Sequence, residues 1–285
     1  MDTRVLIFGL GYSGAAVAQA ARARGWAVRW TSREAKPGAV PFDAADEAIR
    51  EATHIVSSAP PQGASDPVLA RYAGEIAGSR DLRWAGYMST TGVYGDRGGG
   101  WVDEDTPPAP TGPRGARRIA AEAEWSRLPC AVDLFRIAGI YGPGRSAFDD
   151  LRAGTARRIA KPGHQFGRIH RDDIAAAVVA AMAQDRPPGV RVLNLSDDEP
   201  AEASRVTAEA ARLLGIEPPP EIPFEQAVAS MSEMGRSFWA ENRKVASRKT
   251  QAALGIAWRH PTFREGLAAI LAEEAAHRPA QQRKV

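Results

Sequence analysis

One cysteine in 285 residues, Cys130, leaves no partner for an intramolecular disulfide. The disulfide-stapled secreted scaffold is therefore excluded, and a reducing compartment is expected. Cys130 opens Cys130-Ala131-Val132-Asp133-Leu134-Phe135, which reads as a buried strand, so the thiol is expected as a small core residue rather than a nucleophile. No apolar run approaches the length of a membrane span, and the first residues enter a strand-like segment at once. Neither a membrane segment nor a signal peptide is expected, and a cytoplasmic location fits. Blocks of like charge are missing too: 37 Lys and Arg are interspersed with 34 Asp and Glu, for a net charge of +3. A pI near 9.2 without a clustered basic stripe does not point to nucleic acid. The five histidines (54, 164, 170, 260 and 277) show no ligand spacing, so no metal site is expected. Internal repeats and low-complexity segments are also absent.

What remains is an ordinary globular composition, 44% hydrophobic and 25% charged, on a chain long enough to bury a sizeable core. Its most informative stretch is Gly9-Leu10-Gly11-Tyr12-Ser13-Gly14 directly after Val5-Leu6-Ile7-Phe8. A buried strand running into this glycine turn and then into an alanine-rich helix (15–24) is the dinucleotide fingerprint in its proper context. Gly9 serves the tight turn, Gly11 lets backbone approach a pyrophosphate, and Gly14 lets the helix pack on the strand, with helix N-terminal amides facing the anion.

The second strand, 27–31, ends in Thr31-Ser32-Arg33. An Asp or Glu at this place would accept from ribose hydroxyls and repel a 2′-phosphate, whereas hydroxyls and a guanidinium bind one. NADP is therefore expected over NAD. Glu34 argues the other way, since a one-residue shift of the strand end would bring an acid into reach. Thr53 to Ser58 reads as a further strand running into Ala59-Pro60, so Ser58, Ala59 and Pro60 are expected where a dinucleotide crosses the strand ends.

Strand-like and helix-like segments alternate through the first half, as in a doubly wound parallel sheet. Strands are expected at 84–89, 131–137 and 190–195, and helices at 66–78, 115–126, 174–183 and 201–214. After Pro218-Pro219-Pro220 the pattern turns mainly helical, with helices expected at 225–234, 245–254 and 263–276. The expected fold is an α/β Rossmann doubly wound parallel sheet with a smaller, mainly helical C-terminal lobe. Its core would hold 1–140 and 165–197, the lobe 141–164 and 198–275, and 276–285 would form a flexible tail.

Three segments narrow this to a family: Ser89-Thr90-Thr91-Gly92-Val93-Tyr94-Gly95, the stretch from Phe135 through Tyr141-Gly142-Pro143-Gly144-Arg145, and Arg168-Ile169-His170-Arg171-Asp172-Asp173-Ile174-Ala175. With Leu193-Asn194-Leu195-Ser196 and the closing Leu254-Gly255-Ile256-Ala257-Trp258, the chain resembles the extended short-chain dehydrogenase/reductase superfamily of NAD(P)-dependent epimerase/dehydratase type. The resemblance covers nearly the whole chain. It implies a homodimer paired through Rossmann-domain helices, and a structural role for His170 in fixing the loop and helix beside Asp172 and Asp173.

It also implies a catalytic Ser or Thr with a Tyr-x-x-x-Lys pair. The hydroxyl residue matches Thr90, four before Tyr94, but arginine stands at both other positions, Arg114 and Arg118. An arginine keeps its proton at neutral pH, so the usual proton exchange is lost. Thr90 and Arg114 can still orient a carbonyl, and Arg118 can preserve a charge beside the nicotinamide ribose. Tyr94 and Tyr141 are proton-donor candidates by type, and Arg114, Arg118, Arg136 and Arg145 suit a small anionic substrate, the alternative being exposed arginines or ion pairs with Glu104, Glu122 or Asp173. Two readings follow: an NADP-dependent oxidoreductase or epimerase acting on a small polar carbonyl or hydroxyl compound, or a non-catalytic NADP(H) redox sensor.

Overall fold

The computed structural model describes residues 2–63 and 65–277. Seven strands form one sheet: β1 (Arg4–Phe8), β2 (Ala27–Ser32), β3 (Val40–Pro41), β4 (His54–Ser57), β5 (Trp84–Thr90), β6 (Ala131–Ile137) and β7 (Gly189–Leu195). Every pairing is parallel, and the order across the sheet is β7-β6-β5-β4-β1-β2-β3. The direction of winding therefore reverses between β1 and β4, and a crevice opens beyond their C-terminal ends. β4 and β6 are buried along their whole length, because helices cover both faces.

The helices of this part are α1 (Tyr12–Ala23), α2 (Asp46–Glu51), α3 (Pro67–Ala77), α4 (Pro113–Trp125), α5 (Ala147–Arg152), α6 (Arg171–Met182) and α7 (Ala203–Leu214), of which α5 and α7 pack on each other away from the sheet. On one face α1 and α6 lie side by side over the sheet, brought close by Ala18, Ala21, Ala177 and Ala181. On the other face Ile49, Leu69, Tyr72, Ile76 and Trp125 from α2, α3 and α4 make a second core layer. Asp133 on β6 is fully buried and satisfied, accepting from Trp84 Nε1 (2.8 Å), Arg186 Nη1 (2.7 Å) and Arg191 Nε (2.9 Å). Cys130, buried just before β6, is raised in pKa to about 11 by burial, which suits a core thiol.

Beyond the sheet, three short parallel pairs organise the rest: Gly139–Tyr141 with Arg168–His170, Arg158–Ala160 with Glu221–Pro223, and Trp101–Val102 with Lys244–Val245. The last pair returns the C-terminal part to the loop after β5. A third apolar cluster joins Tyr141, Phe148, Phe263, Leu267 and Ile270.

Several boundaries differ from the sequence pattern. α1 starts at Tyr12, not 15, because Gly11 already serves as its N-cap. α7 starts at Ala203, since Ala201 is held in a bridge to Phe166. The expected helix at 225–234 is two pieces, Phe224–Ala227 and Glu233–Trp239: Met231 is extended, and Ser232 caps the second piece by accepting from the Gly235 amide at 3.1 Å. Val245 belongs to a strand, and the helix after it is Arg248–Leu254. Of the proposed tail, residues 276 and 277 complete the helix Phe263–His277, while 278–285 lie outside the described residues. No helix among the described residues is long and apolar enough to cross a membrane.

Candidate functional site

The glycine turn between β1 and α1 divides its three positions by function. Gly9 has φ +87°, a left-handed conformation that suits glycine, and its carbonyl accepts from Ser58 Oγ at 2.7 Å. A Cβ on Gly14 would lie 2.5 Å from the Gly9 carbonyl oxygen, so the close packing of α1 on this turn requires a glycine there. A Cβ on Gly11 would meet nothing within 4 Å: the space over the start of α1 is open. No side chain caps that end and no acidic residue occupies its first turn, which leaves the field of the helix N-terminus to an anion.

A cavity of about 390 Å³ extends from this turn across the ends of β1, β2 and β4. Gly9, Gly11, Thr31, Ser32, Arg33, Ser58, Ala59 and Pro60 line it, while Tyr12, Ser13 and Gly14 lie at the start of α1 beside it. At the far end Ser32 Oγ accepts from the Glu34 amide (3.1 Å), Arg33 is exposed, and the Glu34 carboxylate pairs with Lys36 at 3.4 Å. Lys36, Phe42 and Gln62 also line the cavity and were not singled out from the sequence. A second cation three residues beyond Arg33 was a readable signal for Lys36, whereas nothing local marked Phe42 or Gln62.

Tyr12 turns away from the cavity. Its hydroxyl donates to the Pro143 carbonyl (3.0 Å), and the guanidinium groups of Arg145 and Arg171 lie 5.7 and 5.1 Å from its ring. Burial raises its pKa against the opposing pull of these two cations. Arg145 thus sits beside the glycine turn, not beside Thr90.

The hydroxyl and guanidinium candidates gather where β5 ends. Thr90 Oγ1 accepts from the Gly92 amide at 3.1 Å, capping a short helical turn (Thr91–Tyr94) and leaving its own hydrogen free to donate. Gly115 lets α4 approach this turn: a Cβ there would lie 2.7 Å from Pro110 Cβ and 3.0 Å from the Gly92 carbonyl oxygen. Arg114, at the exposed start of α4, stacks its guanidinium 5.0 Å from the Phe238 ring, and burial followed by repulsion from Arg118 lowers its pKa. Arg118 Nη1 donates to Tyr87 Oη and to the Met88 carbonyl, both at 2.9 Å.

Three arginine and tyrosine candidates are corrected by their surroundings. Arg136 is buried and forked onto Glu122, Nη2 to Oε2 at 2.8 Å and Nε to Oε1 at 3.2 Å, so it is committed inside the protein. Tyr94 is fully buried and donates to Asn194 Oδ1 at 2.7 Å, and Tyr141 donates to the Thr262 carbonyl. Burial raises both phenols, the reverse of what a proton donor near neutral pH needs. Their strand-end positions were legible, but the direction of each side chain was not.

Arg243 was missed. Its Nη1 donates to the Gly95 carbonyl (2.9 Å) and to Glu241 Oε2 (2.6 Å). A Cβ placed on Gly92 would be 3.4 Å from Thr90 Oγ1 and 3.8 Å from Arg243 Nη2, so the two groups flank one position. The histidines also meet across the chain: His170, Asp172 and His260 each bring a ligand-type atom within 4.8 Å of the others. That proximity is invisible to sequence spacing. Within it His170 Nδ1 accepts from the Asp172 amide (3.2 Å) at the start of α6 and the Asp172 carboxylate accepts from Arg171 Nε (3.2 Å), while His170 Nε2 is buried with no hydrogen-bond partner among the described residues.

No protein-family model matches the chain. It is 30% identical to protein YeeZ of Escherichia coli strain K12 over 244 residues, 76% of this chain and 85% of that protein. It is 33% identical over 181 residues to a Streptomyces 3-diazoavenalumate denitrifying reductase, and that match spans 58% of the relative's length. Among solved structures, a functionally unknown conserved protein from Silicibacter pomeroyi superposes with a TM-score of 0.85 at 40% identity, covering 95% of this chain and 99% of that one. The human epimerase family protein SDR39U1, solved with NADPH, shares the fold with a TM-score of 0.79 at 21% identity over 95% of this chain and 99% of that one. With the parallel sheet, the glycine turn and Thr90 in place and arginines at 114 and 118, the chain belongs to the extended short-chain dehydrogenase/reductase superfamily, as an atypical member of its epimerase/dehydratase-like group.

Proposed function

We propose that the protein is an NADP(H)-dependent oxidoreductase that reduces a small anionic carbonyl compound. The observation that carries this reading is the cavity over Gly11, open where a pyrophosphate would sit and ending in Ser32, Arg33 and Lys36. Two cations and a hydroxyl favour a 2′-phosphate, and the acid that might oppose it, Glu34, is already paired with Lys36. The α1 amides and Gly11 would hold the pyrophosphate, with Ser58, Ala59 and Pro60 beside it. The NADPH-bound human relative and the reductase named among the sequence relatives support the same direction.

When bound, NADPH supplies a hydride. Thr90 offers its hydroxyl hydrogen to the acceptor oxygen, since its lone pair already takes the Gly92 amide. The Arg114 guanidinium stabilises charge developing on that oxygen but keeps its own proton, so the proton that completes the alcohol comes from water. Arg118, spread between Tyr87 and Met88, fixes the start of α4 on β5 and places positive charge behind Thr90.

Isothermal calorimetry with NADPH and NADH tests the cofactor half. The expected result is NADPH bound at least tenfold more tightly than NADH, with Arg33→Ala weakening NADPH by about 10- to 100-fold, as loss of a charge-assisted hydrogen bond does. Equal affinities for both would overturn the preference. Transfer of deuteride from the labelled reduced cofactor to a carbonyl acceptor then tests turnover; a protein that binds NADPH and reduces nothing in a broad carboxylated carbonyl panel is a redox sensor.

A further inference from the structure

Two large apolar side chains stand in solvent on one face of the short helix Glu233–Trp239: Met234 is 67% exposed and Phe238, one turn later, 49%. The helix holding them is anchored on its other side. Trp239 stacks on His164 (centroids 5.4 Å apart), meets Phe166 edge-on at 5.0 Å, and its carbonyl accepts from Lys161 Nζ at 2.7 Å. Phe238 thus projects from a fixed support, and the group stacked on it is Arg114, the residue standing at the usual tyrosine position.

The surrounding charge is unbalanced. Glu241 accepts from Thr111 Oγ1 and from Arg243 Nη1, both at 2.6 Å, and its charge also acts on Arg114, so one carboxylate is shared between these two arginines. Arg118 is spent on two neutral oxygens. Arg243 Nη1 is spent on Gly95 and Glu241, while its Nη2 has no hydrogen bond among the described residues and flanks the same position as the Thr90 hydroxyl. An aromatic shelf, a guanidinium stacked on it and a second guanidinium beside the hydroxyl together describe what is missing: a flat ring and one negative charge.

We propose that Phe238, Arg114 and Arg243 form an acceptor subsite beside Thr90 and select a planar aromatic carboxylate. The proposal rests on reading Thr90 as the acceptor contact of an NADP(H) site. The ring would lie against Phe238, its carboxylate would complete the fork of Arg243 or Arg114, and a conjugated carbonyl on the same plane would reach Thr90. An aliphatic acid of equal charge would gain the ion pair but not the stacking.

The test is calorimetric titration of the full-length protein, free and loaded with NADPH, with cinnamate as probe. 3-Cyclohexylpropionate keeps the charge without the flat ring, and cinnamyl alcohol keeps the ring without the charge. The expected result is cinnamate bound about tenfold more tightly than either control, a size set by one stacking contact and one charge-assisted bond. Phe238→Ala should abolish the preference over the cyclohexyl acid, and Arg243→Gln the preference over the alcohol. Both variants should keep wild-type NADPH affinity and circular dichroism. Cinnamate failing to bind either form, or binding Phe238→Ala and wild type alike, overturns the subsite. Failure of NADPH alone overturns the cofactor reading instead, and cinnamate selectivity on the free protein still supports the subsite.

Discussion

Gly11 and Gly14 are three residues apart in one turn, yet substitution should separate their roles cleanly. A methyl on Gly14 must enter a space already filled by the Gly9 carbonyl, and that carbonyl cannot retreat easily because Ser58 Oγ holds it. Alanine also favours a helix over glycine by about 1 kcal/mol, but overpacking against backbone costs about 1–3 kcal/mol, so the net sign is destabilising. At Gly11 the neighbouring space is empty and φ is −77°, an ordinary value for any residue. Gly11→Val should therefore keep the midpoint of urea unfolding close to wild type while weakening NADPH by about tenfold or more, because the backbone can no longer approach the pyrophosphate. Gly14→Ala should show a lower midpoint. A Gly11→Val protein that is destabilised yet still binds NADPH normally would show that the open space serves packing.

At the scale of the element, α4 carries the site on one end and an anchor in its middle. Arg114 stacks on Phe238, whereas Glu122, two turns on, is buried with Arg136 of β6 and accepts from Ser89 Oγ of β5 at 2.6 Å. This pair ties the helix to the two strands that present Thr90. Removing one partner strands a buried charge, so Glu122→Ala should cost about 3–5 kcal/mol, read as a drop in unfolding free energy. Replacing both partners with apolar residues should cost less than the single change; if it costs the sum of the two single changes, the pair does not couple. The helix itself was legible, since Pro113 fits its first turn and the motif register placed Arg114 and Arg118 on it. The strands were legible as well, because a sheet covered on both faces writes itself as apolar runs. The role of Arg136 was half legible: Glu122 stood among its possible partners, but an arginine at a strand end reads the same whether it meets solvent, a substrate or that carboxylate. Arg243 was not legible; it is brought to the Gly92 turn beside Thr90 where Lys244–Val245 pairs with Trp101–Val102, two residues against two, too short to leave any periodicity. Local chemistry was readable, and the direction in which a side chain points, whether across 14 residues to Glu122 or across 148 to Gly95, was not.

Across the whole molecule, four buried ionisable groups set opposing pH limits on stability. His54, held between Thr53 Oγ1 and the Met182 carbonyl, His164 in its aromatic setting, and His170 beside His260 are each lowered to about 4, in every case chiefly by burial. In the unfolded chain they take up protons near pH 6.5, so the stability they contribute is complete above that pH and is lost as pH falls toward 4. Asp197 works in reverse. It is buried with neither carboxylate oxygen hydrogen-bonded, and burial raises it to about 8, so it folds most readily as the neutral acid. The stability associated with its proton is complete below about pH 4 and is lost as pH rises through 8. Between about pH 4.5 and 6 the unfolded chain binds three histidine protons more and one aspartate proton fewer than the native protein, which predicts stability rising by about 2–3 kcal/mol per pH unit. Above about pH 7 the unfolded histidines have largely lost their protons and the Asp197 proton dominates, so stability should fall, by less than about 1 kcal/mol per unit because native Asp197 is itself ionising as pH approaches 8. Urea unfolding at pH 5, 6.5 and 8 should thus peak at the middle value, and Asp197→Asn should remove the alkaline decline while leaving the acid limb in place. A wild-type protein that gains stability from pH 6.5 to 8 would mean that Asp197 is ionised in the native state, with its charge met by the neighbouring Arg168 despite the lack of a direct hydrogen bond.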